Sequence, residues 1–204
     1  MGLGKVQIGG TWGFWRAKRV VDVCVSLALL PVLAAVTLLL MVLNPWLNPG
    51  PLLFWQKRVG RFGRPFLMVK FRTMRPARDV ARFADTEVHR IGAFGRILRR
   101  YRIDELPQLL NVIRGDMSLI GPRPEQPEFA REYGRTLPGY GMRHVIRPGV
   151  SGLSQVLQGY TCDTRGTERK LALDLRYIRK SGYRMEAFIL WRTLVTLATG
   201  FGAR

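Results

Sequence analysis

Hydrophobic positions are concentrated early in this chain. Residues 20–43 are apolar almost throughout, broken by Asp22, Ser26 and Thr37, with Pro31 near the middle. At about 1.5 Å per residue, a straight helix of that length crosses a bilayer. A removable secretory signal fits poorly, because no small-residue cleavage site follows and the chain continues as Asn44-Pro45-Trp46. Two topologies compete, and a single spanning helix is the simpler. Against it, Lys5, Arg16, Lys18 and Arg19 precede the run, while Lys57, Arg58, Arg61 and Arg64 follow it. Both flanks therefore carry the positive charge that marks cytoplasmic segments. A helix that enters and returns on one face satisfies both. Pro31 supplies the break, since it lacks an N–H and its ring clashes with the carbonyl of Leu27. Trp12, Trp15, Trp46 and Trp55 stand at both ends as interfacial anchors would.

After the run the pattern shortens. Pro49-Gly50-Pro51 ends the entry region, and residues 52–56 and 65–72 read as two short strands joined by a glycine-rich turn. A polar stretch, 75–90, reads as an exposed loop or surface helix. Residues 91–101 form a short basic helix and 106–113 a second, stopped by Gly115. Gly121-Pro122-Arg123-Pro124 and 147–152 read as rigid, turn-rich connections. Residues 168–180 are amphipathic, with Leu171, Leu175 and Ile178 on one face. Residues 187–199 are apolar but too short to span, so that helix packs or lies in the membrane interface. The expectation is an α+β fold, mainly α. It has two parts: a basic N-terminal segment with the membrane helix (1–48), and a membrane-associated domain carrying a short β-hairpin and amphipathic interfacial helices (49–204).

Charge adds a constraint. The 204 residues carry a net +19, and 27 of the 33 basic residues are Arg. Such an excess favours a polyanionic partner: nucleic acid, an anionic membrane surface or a phosphorylated substrate. Arg dominance tilts toward phosphate, which the planar guanidinium binds in bidentate fashion. Cys24 and Cys162 have no metal-ligand spacing around them and form no disulfide framework, which points weakly to a reducing compartment. His89 and His144 are isolated.

The densest chemistry lies at Arg99-Arg100-Tyr101-Arg102-Ile103-Asp104-Glu105-Leu106-Pro107. Proline is tolerated in the first turn of a helix, so Pro107 predicts a helix beginning at about Asp104. Asp104 and Glu105 would then meet free backbone N–H groups and the positive dipole end. Such a carboxylate pair can bind a divalent cation, and an Asp carboxylate can attack phosphorus. An N-cap Asp with a first-turn Glu is the structural alternative. Asp174 falls on the apolar face of its helix, where a carboxylate must be paired or functional. Lys70 and Arg72 share one face of the second strand by alternation, either to hold phosphate or to meet solvent.

These residues resemble a known family. The run from Arg102 through Asp104-Glu105-Leu106-Pro107-Gln108 to Gly121-Pro122-Arg123-Pro124 is similar to the signature of the bacterial sugar transferases, the monotopic phosphoglycosyl transferases. Supporting matches are Lys18-Arg19, the apolar run with its proline, Phe54-Trp55-Gln56-Lys57-Arg58-Val59-Gly60, Lys70-Phe71-Arg72-Thr73-Met74, Arg147-Pro148-Gly149-Val150-Ser151-Gly152 and Leu173-Asp174-Leu175-Arg176-Tyr177-Ile178. They cover nearly all of residues 18–199, in order.

The resemblance implies a ping-pong reaction. Asp104, assisted by Glu105, attacks the β-phosphate of a UDP-sugar and releases UMP; polyprenyl phosphate, usually undecaprenyl phosphate, then takes the phosphosugar. Mg²⁺ would be held by Asp104 and Glu105. Substrate and phosphate contacts are implied at Lys70, Arg72, Arg99, Arg102, Arg123, Arg147, Gln155 and Asp174. The resemblance further implies a re-entrant helix kinked at Pro31, a catalytic domain on the cytoplasmic face of the bacterial inner membrane, and the phospholipid bilayer as partner. It implies the initiating step of exopolysaccharide, capsule, O-antigen or glycoprotein glycan assembly. No nucleic acid is expected, and a homodimer is left open. The chain resembles the minimal members, without the additional N-terminal helices and domain of longer ones. Leu30, Gly92 and the tripeptide Gln158-Gly159-Tyr160 depart from the usual pattern. The rival readings, a basic membrane-anchored nucleic-acid-binding or scaffold protein, account for the charge. They do not account for Asp-Glu inside the most basic stretch, and no nucleic-acid motif is present.

Overall fold

The computed structural model describes residues 8–74, 90–158 and 164–199. The expected polar segment 75–90, apart from Arg90, and the Gly159-Tyr160 departure lie outside the described residues. The fold is mainly helical with short β elements, as expected.

The apolar run is carried by two helices, α1 (Trp12–Ala28) and α2 (Leu30–Leu47), which meet at Leu29. Helix α1 starts eight residues before the run because Thr11 caps it, its side chain accepting from the Phe14 N–H at 3.2 Å. Pro31 sits in the first turn of α2, where its missing N–H costs little. No hydroxyl stands at Leu30, but Ser26 donates to the Asp22 carbonyl at 2.7 Å just upstream.

Both helices are fixed to the body that follows. Asp22 on α1 is buried; it accepts from the Ser118 hydroxyl at 2.7 Å and the Leu119 N–H at 3.2 Å, with Lys18 at 3.5 Å. On α2, Leu33 and Leu40 share a core cluster with Phe71 and Leu98, so packing crosses the expected boundary at residue 48. Asn44 donates to the Gly50 carbonyl and Asn48 to that of Arg72. The opposite face of α2 is bare: Leu38, Leu39, Met41, Val42 and Trp46 are all more than half exposed. Among the described residues, α2 is the one helix long and apolar enough to cross a membrane.

Strands β1 (Leu53–Val59) and β2 (Pro65–Phe71) form an antiparallel hairpin with Leu53 opposite Phe71 and Val59 opposite Pro65. The first strand is longer than the alternation suggested because Lys57, Arg58 and Val59 find partners across it. Arg72 lies past the end of β2. Its guanidinium donates to the carbonyls of Asn48, Pro49, Pro51 and Met74, so strand alternation does not place it beside Lys70.

Helix α3 (Ala93–Arg100) approaches β2 closely enough that a Cβ on Gly95 would lie 2.2 Å from the Thr73 carbonyl. Gly92 is its N-cap and offers no side-chain bond. The helix expected to begin at Asp104 instead begins four residues later, as α4 (Gln108–Arg114). Arg102 takes a left-handed conformation (φ 55°), Ile103–Glu105 form a separate 3₁₀ turn, and Pro107 donates no N–H. The carboxylate pair therefore precedes α4 rather than sitting in its first turn.

Where the sequence predicts only two turn-rich connections, the residues before the first and within the second pair as parallel strands, β3 (Ser118–Ile120) with β4 (Gly149–Ser151). A Cβ on Gly149 would lie 2.1 Å from the Gly121 N, which is why a three-residue strand with no hydrophobic periodicity forms there. Helices α5 (Pro127–Thr136), α6 (Leu153–Gln158), α7 (Thr164–Arg179) and α8 (Tyr183–Thr199) complete the body. Ile120, Ile146, Leu153, Val156, Tyr177, Ile178 and Ile189 form its main core.

Candidate active site

The end of β2, the end of α3 and the loop after β3 converge on the 3₁₀ turn. Asp104 and Glu105 are each 7% exposed. Lys70, from the end of β2, reaches Glu105 Oε1 at 3.3 Å. Arg123, from the loop after β3, donates to the same oxygen at 2.7 Å, and Arg102 lies 3.7 Å from it. Arg99, in the last turn of α3, is oriented by the Thr73 hydroxyl at 2.9 Å and faces Asp104.

The two carboxylates have opposite electrostatics. Burial disfavours the charge on Glu105, but Arg123, Lys70 and Arg102 outweigh it and hold the carboxyl well below its ordinary range. Asp104 is raised to about 6, first by burial and then by the neighbouring Glu105 charge; Lys70, Arg99 and Arg123 pull the other way. Asp104 Oδ1 is buried with no hydrogen-bond partner. A buried acceptor left unsatisfied costs about 1–3 kcal/mol and calls for a ligand or a reaction to use it. The left-handed Arg102 is a second sign of local strain, at a residue type that rarely adopts it.

The expected site residues divide. Lys70, Arg99, Arg102 and Arg123 gather around Asp104 and Glu105. Gln155 lines a cavity next to Glu105; it donates to the Val150 carbonyl at 3.1 Å, while its Oε1 is buried without a partner. Arg72 is spent on backbone carbonyls at the α2–β1 connection. Arg147 sits at the far end of α4, donating to the Gly115 carbonyl at 2.8 Å, and Arg19 takes the Val112 and Ile113 carbonyls beside it. Asp174 stands one layer back: it is 1% exposed, accepts from Arg143 at 2.6 Å and from Ser154 at 2.8 Å. Its ion-pair partner, Arg143, was not singled out in the sequence. The same Arg143 nitrogen also donates to the Arg123 carbonyl at 2.9 Å. Gln108 was likewise passed over; it is buried, and its Nε2 has no partner.

This arrangement can hold a polyanion, with cations on three sides and one carboxylate oxygen open to react or to ligate. A divalent cation fits the donor chemistry, since Mg²⁺ is commonly held by one or two carboxylates together with substrate phosphates. Asp104 and Glu105 are the residues able to hold it. Among the described residues no group of three or more His, Cys, Asp or Glu side chains forms an all-protein cage.

The fold is thus a helix-rich body with a bare apolar helix and a buried carboxylate pair ringed by cations. The chain belongs to the bacterial sugar transferase family, whose profile matches residues 14–200. It is 41% identical over 189 residues to the UDP-N-acetylgalactosamine-undecaprenyl-phosphate N-acetylgalactosaminephosphotransferase of Aeromonas hydrophila, covering 92% of this chain and 45% of that protein. It is 44% identical over 187 residues to the UDP-glucose:undecaprenyl-phosphate glucose-1-phosphate transferase of Caulobacter vibrioides, covering 89% and 70%. With the exopolysaccharide production protein PSS of Rhizobium leguminosarum bv. phaseoli it shares 38% over 190 residues, covering 89% and 95%. The chain thus spans less than half the length of the first of these and nearly all of the third.

Proposed function

We propose that this chain is a phosphoglycosyl transferase that moves a sugar 1-phosphate from a UDP-sugar to undecaprenyl phosphate. The observation that carries the reading is the buried Asp104 oxygen without a partner, set among Lys70, Arg99 and Arg123, with Glu105 keeping Lys70 and Arg123 in place and Thr73 keeping Arg99. In the first half-reaction an Asp104 carboxylate oxygen bonds to the β-phosphorus. The bond from that phosphorus to the bridging oxygen breaks, and UMP leaves with the electron pair. In the second, a phosphate oxygen of the acceptor attacks the same phosphorus and frees Asp104. Arg123, Lys70 and Arg99 offset the negative charge that would otherwise repel an anionic nucleophile from a diphosphate. Bound Mg²⁺, held by Asp104 and Glu105, would add further charge neutralisation on the phosphates.

The membrane reading is re-entrant, with the catalytic body on the cytoplasmic face of the inner membrane. Its support is the matched basic flanks and the attachment of α1 through Asp22 and of α2 through Asn48 to the same body. A straight spanning helix would carry one end away. The named relatives act on two different sugars, so the test is a panel. UMP release from several UDP-sugars is measured with undecaprenyl phosphate present, and no release from any of them would end the proposal.

A further inference from the structure

Next to Glu105 a cavity of about 230 Å³ opens between the 3₁₀ turn, the β4–α6 segment and the C-terminal half of α8. Its walls are Ile103, Leu106, Leu109, Val150, Val156 and Leu197. The polar groups among the lining are nearly all spent inside the protein. The Thr196 hydroxyl donates to the Arg192 carbonyl at 2.8 Å, leaving its methyl group for the cavity, and the Thr193 and Ser151 hydroxyls meet at 2.6 Å. The Gln155 amide nitrogen is taken by Val150. Only one end, at Arg102 and Glu105, carries charge. A single water needs only about 10–15 Å³ of such space, so this is far more room than a packing defect leaves.

We infer that this cavity takes the isoprenoid segment next to the acceptor's phosphate, so that α8 contributes to acceptor recognition. This rests on the transferase reading above. Two observations select a lipid chain over the other substrate. First, the cavity presents an apolar wall with its charged end at the catalytic carboxylates, the polarity of a prenyl phosphate whose anionic head meets Lys70, Arg102 and Arg123. Second, α8 has two apolar faces. Thr193, Thr196 and Leu197 line the cavity, while Leu190, Trp191 and Leu194 recur at helical spacing on the outside, each more than half exposed. The helix is therefore continuous, on its outer side, with a surface suited to bilayer contact, and the acceptor passes from lipid to site along it. A nucleobase or sugar would instead seek hydrogen bonds along the wall, where Gln155 Oε1 is the one buried acceptor left over.

The test separates the two half-reactions of the full-length protein in detergent. Thr196→Phe fills the cavity. It should raise the KM for undecaprenyl phosphate about tenfold, the effect of losing burial of roughly two methylenes. The UMP burst with UDP-sugar alone should stay within about twofold, because the donor does not use this space. Thr199→Val, which exchanges for a methyl an exposed hydroxyl bonded to the Val195 carbonyl on the same helix and away from the cavity, should change neither. With wild type, KM should fall as the prenyl phosphate lengthens from a single isoprene unit and then level off once the cavity is filled. Should Thr196→Phe fail to fold, Leu197→Ala serves instead and should raise the acceptor KM while sparing the burst. A weakened burst with an unchanged acceptor KM assigns the cavity to the nucleotide sugar and overturns the inference. So does a filled cavity that alters neither half. A wild type with no burst at all defeats the covalent reading rather than this one, since the chain-length dependence of turnover still reports on the cavity.

Discussion

Arg123 and Glu105 are bonded at 2.7 Å, and the carbonyl of that same Arg123 accepts from Arg143, which is in turn paired with Asp174. The buried anion on α7 thus acts on the reacting centre through two arginines, Arg143 and Arg123, joined at the Arg123 carbonyl. Glu125 lies 3.6 Å from Arg143 and also pairs with Lys170, while Arg58 donates to the Pro124 carbonyl at 3.1 Å, so the Arg123 loop is held from several sides.

Asp174→Asn should therefore lower both stability and turnover. Removing one partner of a buried pair costs about 3–5 kcal/mol, and the remaining Glu125 contact should recover only part of it. A melting scan in detergent reads the first effect and UMP release the second. Turnover within about threefold of wild type in protein that remains folded would mean that the Arg143 link does not position Arg123, since a lost charge-assisted bond should cost roughly 1.5–3 kcal/mol.

Acid stability offers an independent check. His144 is lowered from 6.5 to about 4, by burial first and then by the neighbouring Arg143 charge, with Glu125 opposing. Between those values the unfolded chain binds a proton that the folded chain does not. The contribution of His144 should be complete above pH 6.5 and decline as pH falls toward 4, offset in part by Asp104, which near 6 takes up a proton in the folded chain before the unfolded one does. Glu125, lowered to about 2 by Lys170 and Arg143 against the effect of burial, adds its own loss only below about 4.5. His144→Gln should flatten the upper part of the decline and leave the lower part. An unchanged curve from pH 6.5 to 5 would show that His144 is not the group responsible.

Topology is decided by labelling. In a background lacking Cys24 and Cys162, single cysteines replace the exposed Gly13, before the apolar run, and the exposed Arg64, in the hairpin turn after it. Re-entry predicts that a membrane-impermeant reagent applied to intact cells reaches neither. Modification at residue 13 alone would establish a spanning helix.

Much of this architecture was legible because it rests on periodicity and on single strong signals. The apolar face of α7 alone places Asp174 among buried residues, and the run around Pro31 marks the apolar helices. What was missed depends on long-range contact. Nothing local distinguishes Arg143 from the other arginines; its role comes from Asp174, 31 residues later. The β3–β4 pair escaped because three residues give too little alternation to read, and backbone approach at Gly121 and Gly149 replaces side-chain pattern as its cause. The start of α4 differs from expectation because Pro107 is equally compatible with a first helical turn and with the end of a 3₁₀ turn. Alternation sets Arg72 beside Lys70, but the strand ends at Phe71 and the alternation ends with it.

Glu105 and Asp104 should separate on substitution. Glu105→Gln removes the anion shared by Lys70, Arg102 and Arg123, so those cations lose their anchor. Product formation should slow by about 10²-fold, the range typical of a lost electrostatic group, while the nucleophile remains competent. If Glu105→Gln abolished all chemistry at saturating donor, Glu105 would be the reacting group and the assignment of the pair would be reversed.

The central claim is that Asp104 forms a bond to phosphorus, and intact-protein mass measurement tests it most directly. Purified protein is incubated with Mg²⁺ and the UDP-sugar that supports turnover, with no lipid acceptor. Covalent catalysis predicts a mass increase of one phosphosugar, release of up to one equivalent of UMP per chain, and disappearance of the adduct when undecaprenyl phosphate is added. Asp104→Asn, nearly the same shape but a poor nucleophile, should show neither adduct nor burst. An unmodified mass and no burst, under conditions where the complete reaction turns over, would contradict the account and reduce Asp104 to a ligand for the metal.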